Sequence, residues 1–290
     1  ELTEKRNVDI EDQKDIIRKY LDRNKIQYTQ IKDGMYNGNY KIEYKIIEQD
    51  KVSLVVPNKD HIGDLDKLLK SVEKSTYQNY EIVIVENNSE KQETFDYYDK
   101  ITKENSKIRV EKFKIEYFNY SAIVNFGVEK ATGKYVILLN NDIEILVPDW
   151  IEQMLMYTQR KDVGICGVKL YFPDRSIQHA GVTIGTRGLA GHRSREVEEK
   201  DFKESDYINI VQNLSAVTAA CFMVEKDLYQ SLLGLDEKLA VAFNDVDFCL
   251  KVRDKGLLIV YNPFVYGYHY ESKSRGEDTE SKEKQDRFAK

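Results

Sequence analysis

The chain has 290 residues, a formal net charge of −6, 41% hydrophobic and 32% charged residues. That length allows one large domain or two small ones with a sizeable core. The balance excludes a disordered polymer, and the acidic charge excludes a broad nucleic-acid binder, which needs a basic surface, while leaving room for a local basic pocket for a phosphate.

Residues 9–24 carry Ile10, Ile16, Ile17 and Leu21 on one helical stripe. Residues 25–50, with Gly34, Gly38 and alternating Tyr40, Ile42, Tyr44 and Ile46, read as a short strand pair or extended arm. Residues 1–50 are therefore expected to be an extension leading into a main domain over 51–276. From Val52 the pattern is regular. Val52–Val56 is a strand stopped by Pro57, and Leu65, Leu68, Leu69 and Val72 mark a helix. Ile82–Val85 is a strand, a polar helix reaches about Asn105, and Ile108–Val110 is a third strand. Tyr120–Ala131 is a helix closed by Gly133, and Tyr135–Leu139 is five apolar residues in a row, the signature of a strand buried on both faces. Strands alternating with helices at this spacing predict an α/β fold with a mostly parallel central sheet flanked by helices. A helix follows Pro148 to about Arg160. Strands are expected over Val163–Tyr171, Ala180–Ile184, Ala216–Val224 and Leu257–Tyr261, and a helix over Asp245–Lys255. A loop-rich region holds Gly181, Gly185, Gly188 and Gly191, and the charged tail 277–290 reads as helical.

Cys166, Cys221 and Cys249 are far apart, form no C-x-x-C pair and lie in apolar stretches. They read as buried reduced thiols, which points to a reducing, cytoplasmic compartment, including the inner face of a membrane as a peripheral site. No apolar run approaches the roughly 20 residues of a membrane span. The first residues have no secretory character, and the start at Glu1 rather than Met leads to the expectation of a trimmed piece of something longer.

Polar clusters stand where strands end: Pro57-Asn58-Lys59-Asp60-His61, Glu86-Asn87-Asn88-Ser89, Asn140-Asn141-Asp142, and Asn244-Asp245 with Asp247. A later cluster, His269 through Gly276, mixes a potential metal ligand with Ser272, Lys273 and Arg275. Open α/β sheets bind ligands in the crevice beyond their carboxyl ends. Neither G-x-G-x-x-G nor G-x-x-x-x-G-K-[ST] occurs, which disfavours kinases, P-loop proteins and dinucleotide oxidoreductases. A bound phosphate would be handled by a metal and side chains.

The segments Val52–Asp60 (VSLVVPNKD), Ile82–Ser89 (IVIVENNS), Asn125–Tyr135 (NFGVEKATGKY), Leu138–Asp142 (LLNND), Phe243–Lys251 (FNDVDFCLK) and His269–Gly276 (HYESKSRG) follow in order over most of the chain. Together they resemble glycosyltransferase family 2, in its bacterial rhamnosyltransferase-like branch. The resemblance implies a GT-A fold, with a nucleotide-binding half over 51–145 and an acceptor-binding half over 146–276. It also implies a nucleotide-diphosphate sugar donor, with UDP or dTDP as leaving group, and Mn²⁺ or Mg²⁺. The implied reaction is inverting transfer to a hydroxyl of a glycan, lipid-linked or protein-linked acceptor, in bacterial surface polysaccharide or glycoprotein glycan synthesis.

Carried over residue by residue, Asp142 matches the last acid of a metal-binding D-x-D motif, and Asn140 stands where relatives often have the first acid, free to contact the ribose instead. Asn141 lies between them. Hard divalent ions take one or two carboxylates plus substrate phosphate oxygens. Glu86 matches an acceptor for a base N–H; Pro57, Asn58 and Asp60 match the base-binding loop; Asn125 matches a residue facing the nucleotide. His269 resembles a late metal ligand, and Ser272, Lys273 and Arg275 could neutralise the leaving diphosphate. Asp245 matches the base that takes the acceptor proton, kept ionised at a helix start; Asn244 replaces the usual preceding Glu, and Asp247 is the competing base. Each has a plainer reading beside it: helix cap or turn residue for Glu86, Asp60 and Asp245, packed ring for His269, helix-surface amide for Asn125. His179 reads as structural, and His192 with Arg193 and Arg195 as lining the site. Two rival readings stand: a same-fold nucleotidyltransferase, whose Gly-rich lysine signature is missing near Pro57, and a non-catalytic nucleotide- or sugar-binding module within a larger assembly.

Overall fold

The computed structural model describes residues 10–185, 189–201 and 207–270. The expected tail helix over 277–290 and, separately, Ser272, Lys273 and Arg275 lie outside the described residues. The N-terminal arm is helix α1 (Ile10–Arg23) and an antiparallel hairpin of β1 (Tyr28–Asp33) and β2 (Tyr40–Tyr44). The apolar stripe of α1 is only partly used: Leu21 is buried, whereas Ile16 is 63% exposed. The hairpin docks through aromatic contacts. Tyr44 meets Tyr157 edge-on at 5.3 Å, and the Lys41 ammonium lies 4.4 Å from the Phe264 ring centre.

The regular half follows the expected alternation: β3 (Val52–Asn58), α2 (Ile62–Val72), β4 (Tyr80–Glu86), α3 (Gln92–Glu104), β5 (Ile108–Lys112), α4 (Tyr120–Lys130) and β6 (Tyr135–Leu139). The strands are parallel in the order β6-β3-β4-β5. Every residue of β4 and β6 is buried, which accounts for their unbroken apolar runs. The chain moves outward from β3 to β5, then crosses to the other side of β3. That reversal opens a crevice beyond the carboxyl ends of β3 and β6.

Pro57 does not stop β3, which runs through Asn58 opposite Glu86. Pairing with β6 has already ended at Val55, so one side of the strand is unpaired where proline lacks its N–H. Nor does Gly133 cap α4. Its site is crowded: a Cβ would come within 2.6 Å of the Lys51 carbonyl oxygen, so glycine here allows a close chain crossing.

The second half supplies β7 (Ile143–Ile145), α5 (Trp150–Thr158), β8 (Val163–Tyr171), β9 (Ile177–His179), β10 (Val182–Ile184), β11 (Ala190–His192), β12 (Gln212–Leu214), β13 (Cys221–Glu225), α6 (Lys226–Ser231), α7 (Asn244–Asp254) and β14 (Leu258–His269). The main path reads β12-β14-β8-β13-β6-β3-β4-β5. It is mostly parallel, with β12 and β13 running against the rest.

Two expectations are corrected. Ala216–Val224 is not one strand: only Cys221 onward joins the ladder, and 216–220 is a buried loop. Burial, not pairing, is what makes that segment apolar. Conversely, β14 continues past Tyr261 to His269, because the register slips between Asn262 and Tyr266 and Pro263 sits in that irregularity rather than ending the strand. This extension carries His269 to the crevice.

Side-chain alternation splits the core into two layers. Leu54, Ile84 and Ile137 face Leu65, Leu68 and Trp150, while Val55, Val85 and Leu138 face Ile123, Val124 and Phe248. Trp150 is fully buried, its Nε1 donating to Ser75 Oγ at 2.7 Å, as a residue that packs the helix start should.

Candidate active site

The ends of β3, β4 and β6 are tied by amides. Asn58, 2% exposed, donates through Nδ2 to Tyr98 Oη and accepts at Oδ1 from Asn141 Nδ2, both at 2.6 Å. The carboxyl ends of β3 and β6 are thus held in one register. Glu86 is equally buried and accepts from the Ser89 backbone N–H at 2.6 Å, which closes the turn after β4. Asp60 lies one step further along the β3 loop, in a left-handed conformation with φ 59°. Its Oδ1 accepts from the N–H groups of Glu90 and Lys91 and from Thr94 Oγ1, each at 3.1 Å, so it anchors the start of α3. Burial opposes its ionisation, but these hydrogen bonds prevail and keep its pKa below the ordinary carboxylate value.

At the end of β6 the chain turns through Asn140, Asn141 and Asp142 into β7. The antiparallel β7–β14 pair sets His269 opposite Ile143. His269 is buried, and its Nε2 lies 3.3 Å from Asp142 Oδ1 and 3.5 Å from Asn140 Nδ2. Asn140 is oriented from its other end, where Oδ1 accepts from Tyr120 Oη at 3.0 Å. The residue that replaces an acid therefore makes a neutral bridge between a tyrosine and the histidine.

Asp245 stands in the first turn of α7. The buried loop 216–220 links it to the β6 turn. Ala219 N–H donates to Asp245 Oδ2 at 3.2 Å, the Ala220 carbonyl accepts from Asn140 N–H at 2.9 Å, and Tyr120 Oη also reaches the Ala219 carbonyl at 3.2 Å. The competing acid, Asp247, pairs with Lys251 at 2.7 Å one turn along the same helix. Asn244 is buried and donates to the Leu239 carbonyl; it holds the preceding loop.

Asn125 is placed differently from the expectation that it faces a nucleotide. Its Nδ2 donates to the Leu235 carbonyl and Glu237 Oε1, and its Oδ1 accepts from Tyr229 Oη and Leu235 N–H. Both donors and both lone pairs are in use, so it staples α4 to the loop before α7. His179 is structural in placement, fully buried, and pairs with His192 at 2.8 Å. Tyr98, Tyr120 and the 216–220 loop were not singled out from the sequence. Tyrosine is too frequent here, at 20 residues, for any one to carry a signal, and the loop acts through its backbone.

The donor set has the character of a site for a hard divalent ion that brings its own oxygen ligands. Adjacent ligands of an octahedral ion bonded at roughly 2.1 Å stand about 3 Å apart, close to the separation of Asp142 Oδ1 and His269 Nε2. One carboxylate and one imidazole leave the other positions to phosphate oxygens and water. Among the described residues no group of three or more His, Cys, Asp or Glu forms a complete protein cage.

Comparison with known proteins agrees with this architecture. The family model "Glycosyl transferase family 2" matches residues 53–233. The chain is 40% identical over 234 residues to the uncharacterized protein y4gI of Sinorhizobium fredii, covering 80% of this chain and 26% of that protein. It is 34% identical over 242 residues to the O-antigen biosynthesis protein RfbC of Myxococcus xanthus, covering 82% of this chain and 19% of that one. The chain thus spans only a fifth to a quarter of these relatives. Among solved structures, GalNAc-T7 with UDP, GalNAc and Mn²⁺ superposes with a TM-score of 0.61 at 18% identity, over 79% of this chain and 45% of that one. The mannosyltransferase PcManGT of Pyrobaculum calidifontis, with GDP-Man and Mn²⁺, superposes with a TM-score of 0.57 at 14% identity, over 92% and 67%. Those likenesses place the sheet and its crevice in the GT-A fold, and the extent of the family match shows that the chain belongs to glycosyl transferase family 2.

Proposed function

We propose that this domain transfers a hexosyl or deoxyhexosyl unit, with inversion, from a UDP- or dTDP-sugar to a hydroxyl of a growing surface glycan. The observation that carries the proposal is the backbone link through Ala219 and Ala220, which sets a carboxylate, Asp245, beside the Asn140–Asp142 turn. Inverting transfer asks for one base near a donor whose leaving group is already good; two flanking carboxylates, as glycosidases need, are not required. Asp245 takes the proton of the acceptor hydroxyl as its oxygen attacks the anomeric carbon. Backbone N–H groups of Ala219 and Val246 donate to its two oxygens and hold the carboxylate in place. Asp247 is paired with Lys251 and is the weaker candidate.

Asp142 and His269 would hold Mn²⁺ or Mg²⁺, and imidazole favours Mn²⁺. Such an ion supplies positive charge to the leaving diphosphate. Asn140 orients His269 and presents its amide to the donor. Asn58, Asn141 and Pro57 shape the floor under the base, with Glu86 as the acceptor for a base N–H. Asp60 serves the base-binding loop by fixing its turn. Ser272, Lys273 and Arg275, just beyond the described residues, are assigned to the diphosphate on their sequence match alone. The RfbC likeness supports a surface-polysaccharide acceptor, and the nucleotides and Mn²⁺ found with the two structural neighbours support the donor class.

The test is a thermal-shift panel of UDP, dTDP, GDP and CMP, each with Mn²⁺, with Mg²⁺ and with EDTA. A ligand at a hundred times its Kd stabilises the folded state by about 2.7 kcal/mol. A metal-dependent shift with UDP or dTDP is expected, retained in Asp245→Asn while turnover is lost. No shift with any nucleotide would sink the donor site.

A further inference from the structure

The fully buried imidazole of His179 lies outside every role given above, yet its surroundings are specific. Its Nε2 accepts from two backbone N–H groups, Gly181 and Thr218, both at 3.3 Å. An imidazole nitrogen that accepts carries no proton, so the ring proton is on Nδ1. There it donates to His192 Nδ1 at 2.8 Å, with the two rings edge-on at 5.0 Å. Burial first, then the neighbouring His192, His269 and Arg195, push the His179 pKa well below its ordinary value and keep the ring neutral.

These bonds join three separate pieces of chain. His179 ends β9, which pairs with β8. His192 ends β11, whose partner β10 is held to the 216–220 loop by Val182 N–H and the Ala216 carbonyl. Thr218 belongs to the loop itself, and the next residue is Ala219, the donor to Asp245. Gly181, between the two strands, has φ 95° and no room for a Cβ, which would fall 2.1 Å from Leu214 Cδ1.

We infer that His179 is a positioning residue: by accepting from Thr218 N–H and donating to His192, it fixes the 216–220 loop and the β10–β11 hairpin in the arrangement that aims the Asp245 carboxylate at the acceptor hydroxyl. This rests on the reading of Asp245 as the base. It makes His179 act chiefly on turnover: its hydrogen bonds go to Gly181, Thr218 and His192 and none to the donor-side groups, and the loop's tie to the donor side, Ala220 carbonyl to Asn140 N–H, lies two residues beyond Thr218.

Two near-isosteric variants separate the bonds. Gln places its amide group near Nε2 and can still accept from Thr218; Asn places its amide near Nδ1, still reaches His192, and leaves the part-buried Thr218 N–H without this acceptor. The assay is hydrolysis of UDP-glucose, UDP-N-acetylglucosamine and dTDP-rhamnose with Mn²⁺, water standing in for the acceptor, together with Tm. His179→Asn should lower kcat about tenfold, the size expected for a donor that loses its acceptor, with donor KM unchanged; His179→Gln should restore most of kcat. Equal loss in both, or a KM effect without a kcat effect, overturns the inference. Turnover lost in Asp245→Asn but kept in His179→Asn removes this inference alone, whereas turnover that survives Asp245→Asn removes the base assignment and this inference with it. Ring ¹⁵N shifts of His179 in the unaltered chain give a second reading independent of variant folding: an Nδ1–H tautomer is expected, and a proton on Nε2 overturns the arrangement.

Discussion

Glu81 offers a measure of how the scaffold behind the site is held. It lies in β4 at 7% exposure, and its carboxylate joins three elements. It accepts from Ser53 Oγ of β3 at 2.6 Å, from Thr132 N–H and Oγ1 in the turn before β6 at 2.7 and 2.8 Å, and from Lys51 Nζ at 3.2 Å. Burial alone would raise its pKa; these hydrogen bonds overcome that and bring it down from the ordinary 4.5 to about 2. At about 1.4 kcal/mol per pH unit the difference is worth roughly 3 kcal/mol. Lys51 and Arg109, whose Nε lies 3.4 Å from Glu81 Oε2, reach solvent at 41% and 31% side-chain exposure, and screening discounts the gain to about 2 kcal/mol. The folded pKa is depressed, so the stabilisation is complete above the unfolded value, from about pH 5 upward, and disappears as pH falls towards 2. Urea unfolding of the unaltered chain and Glu81→Gln should differ by about 2 kcal/mol at pH 7 and converge near pH 2. Other carboxylates titrate in both proteins and cancel in the difference. A gap that stays constant from pH 7 to pH 2, or one already absent at pH 7, would refute the assignment.

Gly127→Ala should destabilise the fold by about 1–2 kcal/mol in urea unfolding, because a Cβ there meets Val55 Cγ1 at 2.4 Å and Val85 Cγ2 at 2.7 Å, and overpacking outweighs the gain in helix propensity; adding Val55→Ala should recover part of the loss, and a more stable single variant would contradict the packing. The thiols of Cys166, Cys221 and Cys249 are all buried, and burial pushes Cys221 up to about 12 and raises the other two as well. A thiol reagent at pH 8 should therefore leave the native chain untouched and modify all three only in denaturant; fast labelling of the folded protein would show that one is open to solvent. Asn140→Asp adds a carboxylate within reach of His269 Nε2, so Mn²⁺ affinity read by electron paramagnetic resonance of the free ion should rise about tenfold or more. Unchanged affinity would place Asn140 outside the ion's surroundings.

What was legible in the sequence followed from repetition of one physical pattern. The runs that became β3, β4 and β6 are apolar because both faces are covered, and their polar ends mark the crevice whatever the exact role of each residue. Failures came where chain path departs from local pattern. Pro57 read as a stop and the last strand as ending at Tyr261, but Pro57 and Pro263 each occupy a place where one side of the ladder is already unpaired or out of register. The 216–220 loop read as strand because burial alone demands apolar residues, and its links to Asp245 and Asn140 are made by Ala219 N–H and the Ala220 carbonyl, backbone groups that carry no side-chain signal. Asn125 matched a motif, yet its amide is saturated within the fold, bridging α4 to the loop before α7. Asn140 is the reverse case. Where an acid was expected, the structure gives the amide two neighbours, Tyr120 Oη on its oxygen and His269 Nε2 near its nitrogen. An amide at this position leaves the turn with less negative charge beside Asp142 and His269 than a second carboxylate would. A site of this kind holds its ion chiefly when the diphosphate supplies the remaining charge, so ion and donor should bind together more tightly than either alone.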